Sequence, residues 1–262
     1  MKLSRFWICL LALLLLAGCK PHAHGEPCGP ASRELTAMDT YMAMTIYHQP
    51  REEAEQSLQQ AVGLIAELDE LLSVTDTDSE LYRVNHSGGE TVSLSEETQA
   101  LLAEALALCK STGGALDVTI YPVVRAWGFT TGDYRVPEQE ELRALLEKVD
   151  YTQVALTEEG VTLPEGMELD LGAVAKGWTG DRLMELFRSA GVTSAIVELG
   201  GNVQALGTKP DGSPWRVAVQ APEGGYAGAL EIADKAVITS GGYQRYFVQN
   251  GETYIHIMDP AS

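Results

Sequence analysis

The dominant spacing of the apolar residues in this 262-residue chain changes near residue 190. From residue 51 up to there most recur at helical spacing, with short strand-like runs between. From Ser194 to the C-terminus they fall in short runs bounded by turn residues. A chain divided this way segregates its helices from its strands, which points to an α+β fold with helices packed on antiparallel sheets. Ala54, Leu58, Ala61, Val62, Ile65, Leu68 and Leu72 mark one face of a helix over residues 51–72. Ser93 with Glu96 forms a capping-box pattern before a second helix, which Gly113-Gly114 stops. Pro137 and Glu138 open a third helix. Residues 117–121 read as a strand ended by Pro122. Residues 153–156 and 161–163 flank a hairpin turn. Residues 169–171 read as a short strand leading into a fourth helix, which Gly191 ends. Seven strand candidates follow: 195–199, 203–206, 215–220, 229–233, 237–239, 243–248 and 254–257. Asn250-Gly251 is a hairpin signal between the last two.

The N-terminus reads as a targeting segment. Lys2 and Arg5 precede an apolar run over residues 6–17, too short for a comfortable membrane span. Small residues then lead into Cys19, as at a lipoprotein processing site, although a plain secretory signal gives a similar pattern. The expected organisation is a signal peptide over 1–18, a lipidated flexible tether over 19–34 and one domain from 35 to 262. Lipid on Cys19 would place the protein on the extracytoplasmic side of the cell membrane, in the periplasm or at the cell surface. Cys28 and Cys109 remain and show no metal-site spacing. The formal net charge of −19 does not favour nucleic acid, whose phosphates need a positive surface. An acidic protein still binds pyrophosphate when a divalent metal stands between the charges.

Four segments have the residue types for chemistry. The first, residues 169–177 (Leu-Asp-Leu-Gly-Ala-Val-Ala-Lys-Gly), passes through small residues into a helix. Its free N–H groups, with Asp170 and Lys176, suit a phosphate or nucleotide, and suit a tightly packed strand–helix corner equally well. Gly200-Gly201-Asn202 is a place of close approach or simply a turn. Thr239-Ser240-Gly241 with Arg245 could meet phosphate or solvate a hairpin. His256 shares a strand face with Tyr254 and Met258, and a histidine serves as acid or base near neutral pH. A lone strand histidine is also a common structural residue.

In their order these segments resemble the ApbE-type FAD:protein FMN transferases. Met38-Asp39-Thr40 is similar to the family's Met-Gly-Thr element, and Asp78-Ser79-Glu80 with Asn85 to its Asp-Ser-Glu…Asn segment. Residues 114–119 (Gly-Ala-Leu-Asp-Val-Thr) with Trp127-Gly128-Phe129 match another landmark. So do Asp170 to Gly177, Leu199 to Asn202, Thr239-Ser240-Gly241, and His256-Ile257-Met258-Asp259-Pro260. The resemblance implies an α+β, T-fold-like architecture of two β-rich halves with flanking helices, and FAD between them. It implies that Met38, Ala115, Leu116, Asp117, Asp170, Lys176 and Ile257 contact FAD. It also implies that the Ala173 carbonyl is a ligand of Mg²⁺ and that His256 assists deprotonation of an acceptor hydroxyl. The implied reaction moves FMN from FAD to a threonine or serine of an exported redox protein, such as a subunit of a membrane electron-transport complex, and releases AMP. Hydrolysis of FAD to FMN and AMP, and non-catalytic FAD carriage by a lipoprotein, are the alternatives.

Three departures stand out. Asp39 replaces the usual glycine, and Thr75 stands where many members carry tyrosine. The family's further Mg²⁺ ligands, an Asp and a Thr or Ser, are expected beyond residue 262. The chain is therefore expected to lack a C-terminal part and to bind metal poorly, which leaves its activity on its own open.

Overall fold

The computed structural model describes residues 29–242 and 245–260. The signal segment, Cys19 and Cys28 lie outside the described residues.

Strand β1 (Ala31–Ala37) and strand β2 (Thr40–Tyr47) form a hairpin. Its turn is Met38-Asp39, with φ of 49° and 57°. Both residues are left-handed, and aspartate tolerates that region better than most side chains. This explains how Asp39 stands in a glycine's place. β1 also corrects the domain boundary, because the first strand begins at Ala31, inside the stretch read as tether. Only the two ends of β1 are buried, so it carries no alternating signal. In β2, by contrast, Met42, Met44 and Ile46 are 0–1% exposed and alternate cleanly.

Helix α1 (Arg51–Leu72) runs back along the sheet. Helix α2 (Glu80–Asn85) and helix α3 (Glu96–Ser111) follow. The α3 cap is Ser95, whose Oγ accepts from the Thr98 N–H at 3.3 Å, and not Ser93 as its sequence pattern suggests. The reciprocal carboxylate comes from α2: Glu80 accepts from the Ser95 N–H at 3.0 and 3.1 Å. A capping partner from another helix has no local spacing to reveal it.

Residues 117–121 are not a strand. The segment turns at Asp117–Ile120 and enters helix α4 (Tyr121–Ala126), with Pro122 in the first turn. Proline fits there because that N–H has no intrahelical partner. Helix α5 (Gln139–Leu146) and a hairpin of β3 (Ala155–Thr157) with β4 (Gly160–Thr162) follow. Residues 169–171 form no strand, and Leu171 already turns into the following helix with φ −98° and ψ 4°. They are held by one bridge, Ile120 to Glu168, and by the Asp170 N–H on the Val118 carbonyl at 2.8 Å.

Helix α6 (Gly172–Ser189) leads into β5 (Ser194–Leu199), β6 (Asn202–Leu206), β7 (Trp215–Gln220), β8 (Tyr226–Ile232), β9 (Lys235–Val237), β10 (Tyr246–Gln249) and β11 (Glu252–Ile255). The main sheet is antiparallel in the order β1-β2-β5-β6-β9. Helices α1 and α6 cover one face through Leu58, Ile65, Leu183 and Phe187. The β7–β8 hairpin covers the other through Trp215, Val217 and Ile232. A second core joins α2, α3, β4 and residues 163–171, and a third is aromatic, around Phe129 and Phe247. The mixed α+β architecture is the expected class.

Candidate functional site

Sheet register decides where the site can be. Met42 pairs with Leu199, Leu199 with Asn202, and Val203 with Val237. The Met38-Asp39 turn, the Gly200-Gly201 turn and the chain leaving β9 therefore meet at one end of the sheet. Helix α1 ends there, and the Asp69 carboxylate accepts from the Met38 N–H at 3.0 Å. Helix α6 passes there, with the Thr179 hydroxyl 3.8 Å from the Met38 sulfur. Close approach is built in: a Cβ on Gly200, at φ +59°, would lie 2.3 Å from Thr40 Oγ1, and one on Gly180 2.6 Å from Gln204. The Thr239 hydroxyl donates to the Gly201 carbonyl at 3.4 Å.

The 169–177 corner is fixed from three sides. Asn85 clamps Leu169 both ways: its Nδ2 donates to the Leu169 carbonyl at 2.9 Å, and its Oδ1 accepts the Leu169 N–H at 2.7 Å. The Asp170 N–H is held by Val118. Asp170 Oδ1 accepts from the Gly172 N–H at 2.7 Å, at the start of α6. Trp178 Nε1 and Arg182 Nε both donate to Glu97 Oε1, at 2.6 and 3.0 Å, which fixes α6 against α3.

Burial pushes the Asp170 carboxyl up, while the Gly172 N–H and the cations Arg245 and Lys176 partly oppose it. Burial pushes the Lys176 ammonium down, Arg245 adds to that, and Asp170 and Asp39 work against it. Two cations thus share one carboxylate in a low-dielectric place. Such a grouping favours an added anion, and α6 begins beside it.

Met38 meets Thr179 of α6 at this end, Lys176 lies within electrostatic reach of both Asp39 and Asp170, and Ala173 is exposed in the first turn of α6. The 115–118 loop reaches it through Val118. Ala115 is exposed, and Leu116 packs into the second core. The Asp117 carboxylate is turned inward. It accepts from the Thr119 N–H and hydroxyl at 2.9 and 2.6 Å and from the Tyr151 N–H at 3.1 Å. Its side chain therefore braces the loop. His256 is half-buried just after β11, and Ile257 beside it is 46% exposed. His256 Nδ1 lies 3.1 Å from the Arg245 carbonyl, and the Arg245 guanidinium reaches Asp170 and Lys176 electrostatically. Thr75 is exposed in a turn held by Ser73.

Sequence reading treated Asn85 only as part of a motif and left Arg245 undecided. Asn85 acts on a residue 84 positions away, and no spacing rule reveals that.

The model of the ApbE family matches residues 38–262. A relative from Vibrio cholerae, an FAD:protein FMN transferase, is 36% identical over 98% of this chain and 78% of its own length. One of the same description from Treponema pallidum is 32% identical over 88% and 70%. Among solved structures, the ApbE protein of Thermotoga maritima superposes with a TM-score of 0.85 at 30% identity, covering 89% of this chain and 77% of that one. The flavin transferase ApbE from Vibrio cholerae gives 0.78 at 30%, covering 90% and 77%.

Proposed function

The chain belongs to the ApbE family, and on that premise we propose that it binds FAD at this end of the sheet and transfers the FMN moiety to a threonine or serine hydroxyl of an acceptor protein. The observation that supports this reading most is the convergence of the 169–177 corner with the Met38-Asp39 turn and, through Arg245, with His256. Lys176, beside the start of α6, holds the pyrophosphate. His256 takes the acceptor's proton as its oxygen bonds to the FMN phosphorus. The bond from that phosphorus to the bridging oxygen breaks, and AMP leaves with the oxygen.

Mg²⁺ belongs to this proposal as an ion that would supply positive charge beside the substrate's phosphates. The described residues contain no cluster of three or more His, Cys, Asp or Glu side chains suited to a cation. An ion held largely by phosphate oxygens and water would need few protein ligands, and the main chain of Ala173, an exposed residue in the first turn of α6, would be its protein contact. When bound, it neutralises charge on the phosphate oxygens. The acceptor is an exported redox subunit of a membrane electron-transport complex, and lipid on Cys19 holds the enzyme at the same membrane surface.

Incubation of the chain with FAD, Mg²⁺ and a threonine-containing acceptor tests this. The expected products are AMP and an acceptor heavier by the FMN moiety. Free FMN with an unmodified acceptor would mean hydrolysis, and unchanged FAD would mean mere carriage. Either overturns the transfer. A Cys19→Ser variant should move from the membrane fraction to the soluble one, and its retention there would refute the anchor.

A further inference from the structure

Arg245 links the 169–177 corner to His256 but has no role of its own in the transfer as described so far. Its main-chain carbonyl accepts from the His256 backbone N–H at 3.3 Å and faces His256 Nδ1 at 3.1 Å. A carbonyl can only accept, so the ring donates from Nδ1 and in its neutral form presents a bare lone pair at Nε2. At its other end, the guanidinium donates to the Phe129 carbonyl. That acceptor is rigid. Phe129 is 2% exposed, and its ring packs 5.7 Å from Phe247 and edge-on to His256 at 6.4 Å. Gly128 before it is left-handed at φ +81°, and a Cβ there would lie 2.2 Å from the Asp133 carbonyl oxygen. The Trp127-Gly128-Phe129 loop thus holds an arginine that has further N–H donors to offer. Those donors lie within electrostatic reach of Lys176 and Asp170.

We infer that Arg245 serves the transfer at both ends: its guanidinium grips a phosphate of the dinucleotide opposite Lys176, and its carbonyl sets His256 with Nδ1 protonated and Nε2 free to accept the hydroxyl proton. The inference rests on the FAD-transfer reading and names a phosphate contact and a positioning role within it. Two cations brought together beside one carboxylate, in a chain of net charge −19, repel each other until an anion joins them. After proton transfer the imidazolium keeps its Nδ1–H on the Arg245 carbonyl, so the ring need not rotate.

The test uses the full chain with Mg²⁺, comparing FAD with riboflavin, which lacks phosphate. Arg245→Gln should weaken FAD about tenfold to a hundredfold, the range for a charge-assisted hydrogen bond, and leave riboflavin unchanged. Arg245→Lys should restore most of the FAD affinity. Nitrogen-15 NMR of histidine-labelled wild type should show His256 with Nδ1 protonated and Nε2 bare. Equal loss of FAD and riboflavin, or no loss of FAD, would overturn the phosphate contact. A His256 protonated at Nε2 alone would overturn the positioning role, and this measurement needs no variant to fold. Wild type that binds no FAD would refute the functional reading itself, and the NMR spectrum would still judge the carbonyl contact.

Discussion

Asn85→Ala should destabilise the protein far more than the loss of a half-buried polar side chain suggests. Asn85 is the partner of both backbone groups of Leu169, at 2.7 and 2.9 Å, and Leu169 is 0% exposed. Removing the amide leaves a buried N–H and a buried C=O unpaired. Each such group costs about 1–3 kcal/mol, so the expected loss is roughly 2–6 kcal/mol. That is a large part of the 5–15 kcal/mol typical of a folded domain. Asn85→Asp keeps an acceptor for the Leu169 N–H but sets a carboxylate against its carbonyl, so it should rescue little. Urea unfolding followed by tryptophan fluorescence should show a lower midpoint with an unchanged slope. Because Leu169 precedes Asp170, FAD affinity should fall as well. An Asn85→Ala protein within about 1 kcal/mol of wild type would refute the claim that the clamp holds the corner.

Gly200→Ala should cost more than about 1 kcal/mol, since φ is +59° and Thr40 occupies the space, and thermal unfolding would register it. Asp170 is raised in the fold, so its folded state keeps the proton to higher pH than the unfolded chain does. The associated stability is present below the ordinary aspartate range and is lost as pH rises through the raised value. Asp170→Asn should therefore leave the unliganded protein as stable or more stable at neutral pH while weakening FAD, as paired melting and binding curves would show. Lys176 is lowered, so FAD affinity should decline with rising pH before the ordinary lysine range is reached, and Lys176→Arg should remove that decline in a pH series of binding constants. His256→Ala should cut turnover by about 10²- to 10⁴-fold with little change in FAD affinity, which single-turnover and binding measurements separate.

Local pattern made much of this legible. Ala54, Leu58, Ala61 and Ile65 announce α1, and all four are buried. Asn250-Gly251 announces the β10–β11 hairpin and adopts φ of 55° and 83°. What escaped was what depends on distant partners. Ser95 rather than Ser93 caps α3 because Glu80 arrives from another helix. Residues 117–121 have β-branched side chains, yet the Asp117 carboxylate bends them into a turn by taking the Thr119 and Tyr151 N–H groups. In the site, Asp170, Lys176 and His256 were readable as residue types. Their connection through Arg245 was not, because a main-chain carbonyl and a guanidinium serving different neighbours have no sequence signature.

The pairing of Met42 with Leu199 has a temporal consequence. These partners are far apart along the chain, and loops that long close slowly. Until they meet, the proposed FAD site is not assembled. If the proposed site is right, flavin capture during refolding should lag behind helix formation and appear only with the finished sheet.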